Sequence, residues 1–128
     1  MPKTPGQALF TSDPESVAAA RRFADEVLAQ DAPDLDTGKV DDIRLIVSEL
    51  VTNSIRHGAE PGGSVLVAIE STAENIRIEV HDPVRRRPRF IEPDERGGRG
   101  LFIVQALAET WGVTDRDFGK AVWAVVAR

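Results

Sequence analysis

Ser48-Glu49-Leu50-Val51-Thr52-Asn53-Ser54-Ile55-Arg56-His57-Gly58 carries two patterns at once. Leu50, Val51 and Ser54 continue a stripe that starts at Val40, Ile43 and Val47 with spacings of three and four, which predicts a helix from Asp36 or Thr37 to a stop at Gly58. Glu49, Asn53 and His57 recur every four residues and so form a polar column on one side of that helix. The column holds a carboxylate able to take a proton, an amide oxygen able to ligate a hard cation, and a third polar group. A merely solvated helix face has the same spacing, and spacing alone leaves both readings open.

Upstream, Gln7 to Phe10 reads as a short strand after a Pro- and Gly-containing leader over residues 1–6, expected to be flexible. Ser12-Asp13-Pro14-Glu15 has the form of a capping box, and Val17, Ala20, Phe23, Ala24, Val27 and Leu28 give an apolar stripe ending near Gln30. Downstream of the turn Glu60-Pro61-Gly62-Gly63, the β-rich runs Val65 to Glu70 and Ile76 to Val80 read as an antiparallel hairpin. A third helix opens at Gly98-Arg99-Gly100 and continues through Leu101, Val104 and Leu107. Trp111 to Thr114 and Ala121 to Ala127 form a last hairpin around Asp117, Phe118 and Gly119. Three helices among hairpin-linked strands predict an α/β sandwich of the α+β class, with the helices on one face of a mostly antiparallel, mixed sheet.

One domain over residues 1–128 suits this length. Apolar residues at 41% and charged residues at 29% exclude a disordered tail or low-complexity scaffold. Sixteen Lys and Arg against twenty-one Asp and Glu leave a net charge of −5, which disfavours whole-molecule attraction to nucleic acid or an anionic membrane. The absence of cysteine removes disulfides and thiolate chemistry, and the leader lacks a signal-peptide core, so a cytoplasmic location is expected. His81 and His57 have no metal-ligand company in sequence, and no zinc site is expected.

Between Asp82 and Gly98 run three prolines and the arginines Arg85, Arg86, Arg87 and Arg89, too much chain for a plain connector. Asp82, at a strand end, suits hydrogen bonds from an amino-bearing ring, and equally suits a turn before Pro83. The arginines suit phosphates, RNA, an acidic partner or simple solvation; RNA or DNA ranks low because no stacking aromatics accompany them. Gly98-Arg99-Gly100-Leu101 at a helix start suits an anion cradle or a plain glycine turn. Neither a P-loop nor a Rossmann fingerprint is present. Trp111 and Trp123 are expected in the core.

The ordered set E-L-V-T-N-S-I-R-H-G, V-H-D, long loop, G-G-R-G-L and F-G-K-A-V-W resembles the GHKL (Bergerat-fold, histidine-kinase-like) ATPases over about Gln7 to Ala127. Within them it is similar to the small anti-sigma-factor serine/threonine kinases and their single-domain actinobacterial relatives. The resemblance implies Glu49 as general base toward a protein hydroxyl and Asn53 as the ligand of Mg²⁺ on the phosphates. It implies Asp82 as reader of the adenine amino group, and Gly98, Arg99, Gly100 and Leu101 as the glycine box after an ATP lid over residues 83–97. His57 and Arg56 fall at the tail of the first motif, near the phosphates.

The implied function is an ATP- and Mg²⁺-dependent protein kinase that sequesters a sigma factor and phosphorylates an anti-anti-sigma protein of the STAS type, with a homodimer plausible in such a family. No membrane and no direct nucleic-acid partner is implied. Two departures are visible: Asp82 is followed by Pro83-Val84-Arg85-Arg86 where the family runs Asp-x-Gly-x-Gly, and Ala121 stands where relatives often carry a small hydroxyl residue. They keep a second function open, a catalytically silent GHKL-fold module that binds partners with weak or no ATP binding.

Overall fold

The computed structural model describes residues 6–57, 62–82, 100–117 and 119–128. In chain order the elements are β1 (Gly6–Thr11), α1 (Ser16–Asp31), α2 (Thr37–His57), β2 (Ser64–Ser71), β3 (Asn75–Asp82), α3 (Gly100–Leu107), β4 (Thr110–Arg116) and β5 (Gly119–Ala127). The strands form one sheet in the order β1-β2-β3-β5-β4, and all four pairings are antiparallel. Because β5 pairs with β3, the intervening α3 and β4 are carried past the sheet and back.

Strand alternation divides the sheet into two faces. Ile76, Ile78 and Val80 of β3 and Val122, Ala124 and Val126 of β5 share one face and are buried. Against them pack Ala20, Ala24 and Leu28 of α1, Ile43, Ile46, Val47, Leu50 and Val51 of α2, and Val104 of α3, making one continuous core. Every one of these helix residues lies on a stripe spaced by three and four, so burial of that stripe sets the rotation of each helix.

Two expectations need correction. The Ser12–Glu15 capping box does not form: α1 starts at Ser16, its N-cap is Glu15, and that residue makes no side-chain cap hydrogen bond. Two turn bonds, from Ser16 N–H to the Asp13 carbonyl and from Val17 N–H to the Pro14 carbonyl, precede the helix and shift its start one turn downstream. Asp13 instead accepts from the Glu15 N–H, and the Ser16 hydroxyl donates back to the Thr11 carbonyl.

Trp123 is the second. Its neighbours Val122 and Ala124 point into the core, so alternation turns the indole to the opposite face, where it lies half-buried beneath the Arg77 guanidinium, 4.4 Å from the ring centroid. Trp111, by contrast, packs against the core as expected.

The turns that fix this frame are legible in residue type. Asp36 accepts from the Gly38 N–H at 3.0 Å and opens α2. Thr72 closes the β2–β3 turn, its hydroxyl oxygen accepting from the Glu74 and Asn75 N–H groups. Gly62 takes φ +81°, a conformation that favours glycine, just before β2.

Candidate functional site

The second half of α2, the C-terminal end of β3, the start of β5 and the first turn of α3 meet at one end of the sheet. Ser54 and Asp82 join the first two: the buried Ser54 hydroxyl donates to Oδ2 of Asp82 at 3.1 Å. Asn53 directly precedes Ser54 on α2 and Glu49 stands one turn before Asn53, both half-buried. Glu49 reaches α3, for a Cβ built on Gly100 would stand 3.0 Å from its Oε2. Leu101, next in α3, is buried and anchors that helix start.

Four of the residues picked out by sequence are thus tied to the second half of α2: Glu49 and Asn53 belong to it, Gly100 adjoins it through Glu49, and Asp82 through Ser54. Arg56 and His57 are exposed in the last turn of α2, where the guanidinium of Arg56 suits the helix dipole. Gly98, Arg99 and the 83–97 segment lie outside the described residues.

Asp82 is not open at its carboxylate. Alternation places it on the core face with Ile76, Ile78 and Val80, and the β3–β5 register sets it opposite Lys120. Lys120 Nζ donates to both carboxylate oxygens at 3.0 Å, and the two side chains are 3% and 1% exposed for lysine and aspartate. Removing one partner from a buried pair of this kind costs about 3–5 kcal/mol, because the other charge is left without compensation. A cleft of about 380 Å³ approaches Asp82 and Lys120 from the side of Leu9, Leu66 and His81, on the sheet face away from the helices; Glu49 and Asn53 do not line it.

Sequence reading missed Ser54 and Lys120 as members of this cluster. Ser54 was counted within the apolar stripe of α2, where a buried hydroxyl itself signals a polar partner. For Lys120 the signal is parity: a lysine in step with Val122, Ala124 and Val126 is directed inward and demands a carboxylate opposite.

The donor chemistry at this end partly fits a magnesium-bound nucleotide. Asn53 offers an amide oxygen and Glu49 a carboxylate, for which the missing side chain at Gly100 leaves room. Asp82, expected from sequence to meet a base, fits less well, since Lys120 and Ser54 already donate to it.

Comparison with known proteins gives the family and the fold. Residues 10–126 match the family described as histidine kinase-like ATPase domain. The chain belongs to that family, and its fold is the GHKL, or Bergerat, ATPase fold. It is 30% identical over 112 residues to an anti-sigma F factor of Clostridium botulinum, covering 78% of this chain and 77% of that protein. To the anti-sigma F factor of Clostridium acetobutylicum it is 32% identical over 119 residues, covering 83% and 82%.

Among solved structures, the RsbU and RsbW domains of Rv1364c from Mycobacterium tuberculosis superpose with a TM-score of 0.74 at 21% identity, over 99% of this chain. The match spans only 34% of that larger chain, about a third, and bears on fold alone. A histidine kinase domain from Erythrobacter litoralis superposes at 0.52 and 24% identity, over 86% of this chain and 59% of that one. Among the described residues no helix is long and apolar enough to cross a membrane.

Proposed function

We propose that this chain is an anti-sigma factor with protein serine/threonine kinase activity, which holds a sigma factor and phosphorylates an anti-anti-sigma antagonist of the STAS type. The observation that carries the reading is the Glu49/Asn53 pair on α2, with the Glu49 carboxylate against the glycine that opens α3. The likeness to clostridial anti-sigma F factors over most of both chains supports the partner class. Such a protein would work in the cytoplasm as a single domain over residues 1–128, with residues 83–97 as lid and a homodimer as its assembly.

Within this reading each side chain has a separate task. Mg-ATP, when bound, supplies the phosphoryl group, and the metal neutralises its charge. Asn53 would hold the cation, and Glu49 would accept the proton of an incoming serine or threonine hydroxyl. Gly98, Arg99, Gly100 and Leu101 would form the turn against the phosphates, with Arg56 and His57 adding positive or polar contacts at the end of α2. Asp82 would accept from the base amino group. Phosphorylation of the antagonist would then decide which partner is held, a charge change read out as partner exchange.

Glu49→Gln tests the central assignment. Labelled phosphate transfer to a STAS-type acceptor is expected to vanish while Mg-ATP binding, read by titration calorimetry, survives. Equal loss of both would remove the base role from Glu49.

One observation favours a second reading, a partner-binding module without catalysis: the Asp82 carboxylate is engaged by Lys120. That module would capture its partner undiminished in nucleotide-free buffer, including as Asn53→Ala. Dependence of capture on added Mg-ATP would count against it.

A further inference from the structure

The buried pair at the end of the sheet bears on how the site takes a nucleotide. A carboxylate recognises a base by accepting hydrogen bonds from its amino group, which requires both a lone pair and a path to it. At Asp82 the lone pairs are used from within the protein: Lys120 Nζ donates to Oδ1 and Oδ2, and Ser54 Oγ donates to Oδ2. The side chain is covered as well: 1% of it is exposed, although a cleft on the other sheet face reaches residues 82 and 120.

We propose that Lys120 is the internal occupant of the base-reading position: its ammonium makes to Asp82 the hydrogen bonds that a nucleobase amino group would make, so a nucleotide enters only by displacing it, and Lys120 sets the affinity of the site. The inference rests on the reading of Asp82 as the base-recognition residue.

Three features support a displaceable lock over a plain structural pair. A buried ion pair is generally no better for stability than well-packed apolar residues, so its presence in a core face otherwise built of Ile, Val and Ala is not explained by packing. Lys120 is the second residue of β5, at the end of the sheet where the site residues gather, and not in the middle of the core. Its flexible four-carbon stem can carry the ammonium away without moving the strand, whereas a rigid donor at the same place could not withdraw. Ser54 remains as a donor to Asp82 whichever cation or amino group is present, and so holds the carboxylate in a fixed orientation.

The test is titration calorimetry of the full chain with Mg-ATP, comparing the natural protein with Lys120→Thr, and with thermal melting of each in the absence of nucleotide. Lys120→Thr is expected to melt lower alone, to bind Mg-ATP at least about tenfold more tightly, and to be raised further in melting temperature by the nucleotide. If Lys120→Thr does not fold, Lys120→Gln carries the comparison; it keeps a neutral donor to Asp82 and is expected to bind more tightly than the natural protein. Unchanged or weaker binding in the variant, beside measurable binding by the natural protein, overturns the lock and leaves the nucleotide site standing. No binding by either protein at millimolar Mg-ATP overturns both the lock and the reading of Asp82 on which it rests.

Discussion

Oε2 of Glu49 lies 3.0 Å from the point where a Cβ on Gly100 would stand. The proposed base and the glycine that opens α3 are thus in contact across two helices, and the absence of a side chain at residue 100 is what leaves the carboxylate its place. Gly100→Ala is expected to lower phosphate transfer by about ten- to a hundredfold through a displaced Glu49, since misplacement of a reacting group by about an ångström has effects of that size. Stability should be unchanged or raised by roughly 0.4–1 kcal/mol, because alanine restricts the unfolded chain and suits a helix. Urea unfolding and transfer assays on the same preparation separate the two; full activity in the variant would detach Gly100 from the position of Glu49.

Asn53 stands one turn from Glu49 on the same face, half-buried, where its amide can reach a cation without belonging to the core. For Asn53→Ala the magnesium-dependent part of ATP binding should fall by at least about tenfold in calorimetry. Unfolding free energy should stay within about 0.5 kcal/mol of the natural protein, as for other changes outside the core. Binding that is equal with and without the amide would remove Asn53 from the cation.

The fold was legible where one physical signal dominated. Spacings of three and four through Ala20, Ala24 and Leu28, and through Ile43, Val47 and Leu50, describe faces that are buried as drawn. The β-rich run Ile76 to Val80 was legible as a strand, which the structure extends to Asn75–Asp82 with one core face. Failures came where two signals compete or where the partner is remote. Ser12 and Glu15 have capping-box spacing, but Asp13 and Pro14 form turns first and the helix starts later. At Trp123 residue type suggested core and parity decided otherwise. Lys120 and Asp82 are 38 residues apart, and only the β3–β5 register brings them opposite each other. Glu49 and Asn53 could be paired from sequence because a single helix fixes their relation; the engagement of Asp82 could not, because it depends on a neighbouring strand.

The open face of the sheet gives a stability prediction independent of the nucleotide site. A Cβ on Gly112 would stand 2.6 Å from Cζ2 and 2.9 Å from Cε2 of Trp123, and that indole is covered on its face by Arg77. The ring is held from two sides, so it cannot give way without losing a contact. Gly112→Ala is expected to destabilise the fold by about 1–3 kcal/mol, the usual cost of overpacking. Equilibrium urea unfolding measures it, and Gly112→Ala combined with Trp123→Leu should recover part of the loss. A neutral Gly112→Ala would mean that the β4 edge yields to the ring.

On the same face Glu79 accepts from Arg77 Nε at 2.7 Å and is 2.9 Å from His81 Nε2. Burial by itself raises the carboxyl pKa, but the hydrogen bonds from Arg77 and His81, with their charges, outweigh it and hold the group below its ordinary value of 4.5. A carboxylate with a depressed folded-state pKa binds fewer protons in the native than in the unfolded chain, so its contribution to stability grows with pH across that interval. The contribution is fully present above pH 4.5 and is lost as the pH falls through 4.5 toward and past the lowered native value. Glu79→Gln removes the titrating group while keeping an acceptor for Arg77. Urea unfolding at a series of pH values between 7 and 3 should therefore show a stability gap between the two proteins that is constant near neutrality and closes in acid. A gap that persists undiminished at the acid end would show that the Arg77–Glu79–His81 row does not prefer the ionised carboxylate.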